Sequence, residues 1–385
     1  MEKILIISKE VYSDYYNFDS NNRFKGFIRD MLSQKNKILF TSRDYSEVKK
    51  IEMYFSKLGY NKDNGIYAKT RDEVKQLVKS NNGSNFIIIG NRDKDFELAV
   101  NNKLLYIVPN WCKDINDKSI KYGVNINKIE ELEQVIKTAN NQNNWYYEDI
   151  LEDGTKVYSL MSGMYKKWNV TPKEKELVIG FEKFLKEGKT DYYEILYYHF
   201  LAGISNLEEF KEIDVWGIAP SSGSNLNKDM LNFKDKARCM MKKKFTREDE
   251  NLFLRHTPIE KSHSLNSIIR EKEGASRHLA SIHLNPEYKV KGKNICIFDD
   301  YLTHGNTFEA MRNILRKAGA KKIFFVSLGR FERRYIYQNF KISGDITIPN
   351  GFTYKEIERK YVPYKCNEKA RDEVKNLHDK CLYHF

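Results

Sequence analysis

Short apolar runs separated by amphipathic stretches dominate the first 110 residues. Residues 4–7, 38–40, 66–68, 86–89 and 104–108 are each three to five consecutive apolar positions, the length of buried strands rather than helices. The stretches between them carry apolar residues at helical spacing. Two open with an acceptor-x-x-Glu pattern that caps helix N-termini, Asp44-Tyr-Ser-Glu47 and Thr70-Arg-Asp-Glu73. Such alternation predicts a parallel sheet with helices on both faces.

A helix over 129–139 then runs into Asn140-Asn-Gln-Asn-Asn144, the least apolar stretch of the chain, where a domain boundary is expected. Beyond it, residues 146–151 and 156–160, joined by Glu152-Asp-Gly154, predict a hairpin. Thr171, followed by Pro172 and Glu174 and closed by Gly188, frames a helix. Alternation resumes with strands at 213–218, 294–298 and 322–328. A helix at 308–318 puts Phe308, Met311, Ile314, Leu315 and Ala318 on one stripe and stops at Gly319. The expectation is two α/β domains, residues 1–111 and 146–385, joined by a helical linker over 112–145.

Composition narrows the class. With 41% apolar and 31% charged residues in 385, the chain is neither a disordered polyampholyte nor a membrane protein. No run approaches the length of a bilayer span, and the first apolar run is too short for a secretion signal, so a cytoplasmic protein is expected. The five cysteines, Cys112, Cys239, Cys296, Cys366 and Cys381, are scattered and form no CxxC pair, which argues against disulfides or a thiolate metal site. The net charge of +13 is shared between the two halves. One local cluster, Lys234, Lys236, Arg238, Lys242, Lys243, Lys244 and Arg247, reads as a solvated helix face or as a surface that attracts a small polyphosphate. Charge alone would also admit a nucleic-acid partner, but no RRM, zinc or helix-turn-helix signature accompanies it.

The chemistry concentrates at Asn294-Ile-Cys-Ile-Phe-Asp-Asp-Tyr-Leu-Thr-His-Gly-Asn-Thr307. An apolar strand delivers Asp299 and Asp300 to its carboxyl end, and Thr303, His304, Gly305, Asn306 and Thr307 form a tight loop before a helix. Carboxylates there accept hydrogen bonds from vicinal hydroxyls, and a loop opening a helix offers backbone N–H groups to an anion. A diol beside a phosphomonoester fits this segment. Upstream, a strand leads into Ala219-Pro-Ser-Ser-Gly-Ser-Asn225, where Ser221, Ser222, Gly223 and Ser224 would let backbone N–H groups converge on a second anion.

These residues resemble the fingerprint of the type I phosphoribosyltransferases, and within them the ComF-like branch. There too an Arg-x-Thr segment, here Arg255-His-Thr257, precedes a Leu…Arg stretch, here Leu265 to Arg270. The resemblance covers about residues 146–335. It implies a Rossmann-like phosphoribosyltransferase fold in which Asp299 and Asp300 bind the ribose hydroxyls of phosphoribosyl pyrophosphate and residues 303–307 bind its 5-phosphate. Residues 221–224 would bind the pyrophosphate, with Arg238, Arg255 and Arg270 in or near a hood over it. It further implies Mg²⁺ carried by the donor rather than by a dedicated protein cage, a nitrogenous acceptor of unknown identity, and a homodimer. His304 replaces a usual threonine, bringing either a titratable donor or a plain surface histidine. Thr303 stands where purine-salvage members carry aspartate, which argues against hypoxanthine or guanine as acceptor. A phosphoribosyl pyrophosphate or nucleotide sensor without turnover is the alternative.

Residues 1–110 resemble, in order of elements, a second Rossmann-like family, the haloacid-dehalogenase-like hydrolases. Thr41 or Ser42 fits that family's second motif, Gly90-Asn-Arg-Asp-Lys-Asp95 its fourth, and Lys75 its lysine. The first motif fails: the family places its aspartate nucleophile at the end of strand one with a second acid two residues later, and here Ser8, Lys9 and Glu10 occupy the place. The resemblance therefore implies the fold without aspartyl-phosphate catalysis.

Overall fold

Each apolar run of the first 110 residues becomes a strand covered on both faces, as a parallel sheet requires. The computed structural model describes residues 2–18, 23–81, 83–141, 145–164, 170–172, 175–176, 178–180, 191–223, 225–243, 246–247, 249–260 and 267–372. The Glu174 and Gly188 signals of the expected helix, Lys244 of the basic cluster, Leu265 and Ser224 lie outside these residues.

The first half runs β1 (Ile4–Ser8), α1 (Lys9–Phe18), α2 (Arg23–Ser33), β2 (Lys37–Ser42), α3 (Tyr45–Lys57), β3 (Ile66–Thr70), α4 (Arg71–Lys79), β4 (Phe86–Ile89), α5 (Asp93–Asn102) and β5 (Leu105–Pro109). It continues with α6 (Asp117–Tyr122), β6 (Val124–Ile126) and α7 (Ile129–Asn141). The strands form one parallel sheet in the order β3-β2-β1-β4-β5-β6. Residues 112–145 are thus no helical linker. Val124 and Ile126 add a sixth strand, and α7 packs on α2. The Thr70–Glu73 capping box is present. Asp44 caps α3 alone, since Glu47 turns instead to Lys9 at 2.5 Å and Lys50 at 2.8 Å.

The second half runs β7 (Tyr147–Ile150), β8 (Lys156–Ser162), α8 (Asp191–Asn206), α9 (Glu208–Lys211), β9 (Val215–Ile218), α10 (Lys228–Met240), β10 (Phe253–Arg255), α11 (Ser267–Glu273), α12 (Ser276–Leu279) and β11 (Ile282–Leu284). Then follow β12 (Asn294–Leu302), α13 (Asn306–Lys317), β13 (Lys322–Arg330), β14 (Tyr335–Gly344) and β15 (Phe352–Val362). A mixed sheet in the order β7-β8-β13-β12-β9 is parallel except for its edge strand β7, and β14 and β15 form a separate antiparallel ribbon.

The two faces of the second sheet serve different cores. Cys296, Phe298, Trp216 and Val326 join the core that also contains the first sheet, with α8 and α10 between. Ile295, Ile297, Val215 and Phe325 face α13 and the ribbon. Polar contacts tie the halves as well: Tyr197 Oη donates to Tyr122 O at 2.9 Å and Tyr122 Oη to Asp235 at 3.2 Å. Lys3 donates to Ser84 O and Asn206 Oδ1.

Three members of the basic cluster do not lie on a solvated face. Lys234 is 0% exposed and donates to Arg247 O and Glu250 O, Lys236 lies 5.0 Å from the Tyr197 ring, and Arg238 pairs with Asp235. These three cations are held by groups of the second half, whereas Lys242 and Arg247 of the cluster are exposed.

His199, fully buried on α8, is held near pKa 4 by burial alone. Because the unfolded chain binds the extra proton between pH 6.5 and 4, stability is full above 6.5 and falls as pH drops through that window. Urea midpoints at pH 7.5 and 4.5 should show this loss, and His199→Leu should shrink it by about 3 kcal/mol.

Candidate functional site

β12 carries the acid pair, although the strand does not stop before it: pairing with β13 continues through Tyr301 and Leu302. By strand alternation Asp299 continues the face of Ile295 and Ile297, toward Arg255 of β10. Each half-buried carboxylate spends one oxygen on the next backbone N–H, Asp300 N to Asp299 Oδ1 at 2.9 Å and Tyr301 N to Asp300 Oδ1 at 2.6 Å. Burial and the neighbouring Asp300 charge push the Asp299 carboxyl well above the ordinary range, with Arg255 opposing.

The loop that follows is an uncapped helix start. Gly305 is the N-cap residue of α13 at φ 81°, and no side chain caps the helix. A Cβ at Gly305 would lie 2.3 Å from the Tyr335 ring, which Glu309 fixes through a 2.7 Å hydrogen bond, so only glycine fits. The first N–H groups of α13 are therefore open to an anion. The hydroxyls of Thr303 and Thr307 take no partner among the described residues. Asn306 donates to Arg270 O at 2.9 Å, and its Oδ1 is buried without a hydrogen-bond partner.

His304 is no plain surface residue: it is 7% exposed, and its Nδ1 bonds to Arg334 O at 3.1 Å, which requires the proton on that nitrogen. Burial, with Arg270 and Arg333 adding repulsion, lowers its pKa against the pull of the Arg334 carbonyl and Glu271. The side chain braces the loop.

Arg270, Arg277 and Arg333 gather around this mouth; burial and the other two guanidiniums together lower the Arg270 pKa, and its Nε has no partner. Like charges held together near an uncapped helix end mark an anion site. Sequence reasoning found Arg270 and missed Arg277 and Arg333, which carry no motif of their own.

The upstream turn sits beside the acids, since Ala219 N donates to Phe298 O at 2.7 Å. Arg255, expected near a hood, is instead a buried clamp beneath the turn. It donates to Ser221 O, Pro220 O and Ser281 Oγ, and burial lowers it to about 10. Ser222 O accepts from Ile259 N at 2.9 Å, Ser221 Oγ donates to Asn225 O, and a Cβ at Gly223 would meet nothing within 4 Å. Arg238 lies apart, on α10 facing the first half.

A second crevice opens at the carboxyl edge of the first sheet, with a volume of about 560 Å³. It is lined among others by Lys9, Glu10, Ser42, Arg43, Arg71 and Arg92. Of the residues expected there, Ser8, Thr41 and Asp95 are buried around it and Glu10 lines it, whereas Lys75 pairs with Asp72 on the exposed side of α4. Arg71, which no motif pointed to, reaches Asp95 at 3.0 Å and Glu10 at 4.0 Å.

Among the described residues no group of three or more His, Cys, Asp or Glu is arranged to hold a metal ion, and no helix is long and apolar enough to cross a membrane. The chain matches no known family model and no curated protein sequence.

Proposed function

We propose that the second half is a type I phosphoribosyltransferase that uses phosphoribosyl pyrophosphate. The observation that carries this reading is the juxtaposition of Asp299 and Asp300 with the uncapped Gly305 helix start, ringed by arginines, at one sheet edge. The acids suit a ribose diol, the N–H groups of α13 a 5-phosphate, and the Arg255-clamped turn a pyrophosphate. In the reaction, the bond from the anomeric carbon to pyrophosphate breaks as the acceptor nitrogen bonds to that carbon, and the nitrogen gives up a proton. Asp299 and Asp300 orient the sugar and favour the positive charge that develops on it. A Mg²⁺ ion would be carried by the donor, held mainly by its pyrophosphate and ribose diol rather than by the protein, and would neutralise charge on the leaving group. The strand order of the first half supports a haloacid-dehalogenase-like fold, with Ser8 in the nucleophile's place supporting a non-catalytic one.

Calorimetry with Mg²⁺ and the donor, followed by pyrophosphate release across a nucleobase panel, tests the reading. Binding with release supports it; binding with no release for any acceptor assigns a sensor instead; absence of binding overturns both. If the turn holds the pyrophosphate, Gly223→Ala should weaken donor affinity by about tenfold while leaving the melting temperature unchanged, since a Cβ there would meet no atom within 4 Å.

A further inference from the structure

β10 and β11 form a short antiparallel ladder whose two faces carry different chemistry. Phe253, Arg255, Ile282 and Leu284 share one face, and all four are buried. The other face carries Leu254 and His256 on β10 and His283 on β11. Leu254 pairs with His283, and His256 N donates to Ser281 O at 3.0 Å, so the two histidines are diagonal neighbours across the ladder. Their ring centroids stand 5.6 Å apart.

Neither imidazole is used up by the fold. His256 is half-buried, and its Nδ1 bonds to Thr257 Oγ1 at 2.8 Å, which leaves Nε2 open. His283 is 7% exposed, yet its Nδ1 is buried without a hydrogen-bond partner. An unpaired buried polar atom is costly, and a bound ion would remove that cost. Burial lowers both pKa values, with Arg255 adding to the effect on His256 and His256 to that on His283, so both rings are uncharged at neutral pH. Uncharged imidazole is the form that ligates metal.

We infer that His256 and His283 are a bidentate site for a divalent transition-metal ion of the Zn²⁺ kind, with water completing its shell. Two imidazoles on one tetrahedral ion, each bonded at about 2.0–2.1 Å, hold their centroids about 5 Å apart, close to the spacing present. His256 binds through Nε2, its Nδ1–H steadied by Thr257 as outer-shell groups steady metal-bound imidazoles, and His283 binds through Nδ1 after a small turn about its soft χ2 torsion. Two neutral nitrogens favour zinc, nickel or copper over Mg²⁺, which prefers oxygen. The ion fastens β10 to β11 from outside. The site is independent of the phosphoribosyl reading, because Arg255 lies on the opposite face of the ladder and none of residues 299–307 takes part.

Calorimetry with Zn²⁺ alone, repeated in excess Mg²⁺, and hydrogen exchange read by segment test the site. The expected result is Zn²⁺ binding that Mg²⁺ does not displace, with slower exchange over residues 253–256 and 281–284. His256→Gln should weaken that binding by about tenfold or more, and the exposed Thr257→Val, which keeps both ligands, by a smaller factor. Absence of Zn²⁺ binding, protection confined to other segments, or an affinity unchanged in His256→Gln overturns the inference.

Discussion

Asparagine at both Asp299 and Asp300 should reduce donor-dependent pyrophosphate release by about 10³-fold or more while leaving the fold intact. The substitution keeps the shape of both side chains and, on the phosphoribosyl reading, removes the charge that would orient the diol and offset cationic character at the anomeric carbon. Stability should hold or rise. The Asp299 carboxyl is pushed up by burial and by Asp300, so in the free protein the pair is a cost that the amides relieve. The decisive comparison sets initial rates against urea midpoints for the same preparations. Lost activity with an unchanged or higher midpoint supports the assignment, and release that persists in the double variant removes it.

Arg312→Met should have the largest effect on stability, about 3–5 kcal/mol. Arg312 is 0% exposed and donates to Glu309 at 2.7 Å, to Asp153 at 2.6 Å and to Gln338 O at 2.7 Å, while its guanidinium lies 4.4 Å from the Tyr337 ring. Methionine fills much of the volume but leaves the wholly buried Glu309 without its counter-charge, whereas Asp153 keeps Arg316 at 2.9 Å. Adding Glu309→Gln to the Met variant should recover part of the loss, because an amide needs no counter-charge. The same network holds Tyr335 under Gly305, so Arg312→Met should also weaken donor binding through the loop. Urea unfolding of the single and double variants checks the first effect and calorimetry the second.

The strands of both sheets, the short β6 excepted, were legible because burial on two faces demands near-continuous apolar runs, and the stripe from Phe308 to Leu315 was legible for the matching reason on a helix. What escaped was structure built from polar residues. Glu309, Arg312 and Asn313 look like the solvent face of α13, yet they are buried because the ribbon covers that side. β15 breaks the alternation of a half-buried strand with consecutive charges, Lys355-Glu356 and Glu358-Arg359-Lys360 around Ile357, and gives no clear strand signal. The Lys234 to Arg238 cluster was misread for the same reason: spacing does not reveal that α8 and the first half lie against it. Within the candidate site, the acids and the glycine loop were visible as contiguous sequence. The roles of Arg255, Arg71 and His304 arise from contacts between distant segments and could not be.

The ladder between β12 and β13 runs on past the acids, so their backbone is riveted into the sheet rather than hung on a lid. On the phosphoribosyl reading, any closure must come from the turn after β9 or the segment around Arg333, and the two carboxylates stay still throughout. A sugar lacking its 2-hydroxyl would therefore be refused at first contact, before anything shuts over it: discrimination between ribose and deoxyribose belongs to the rigid frame.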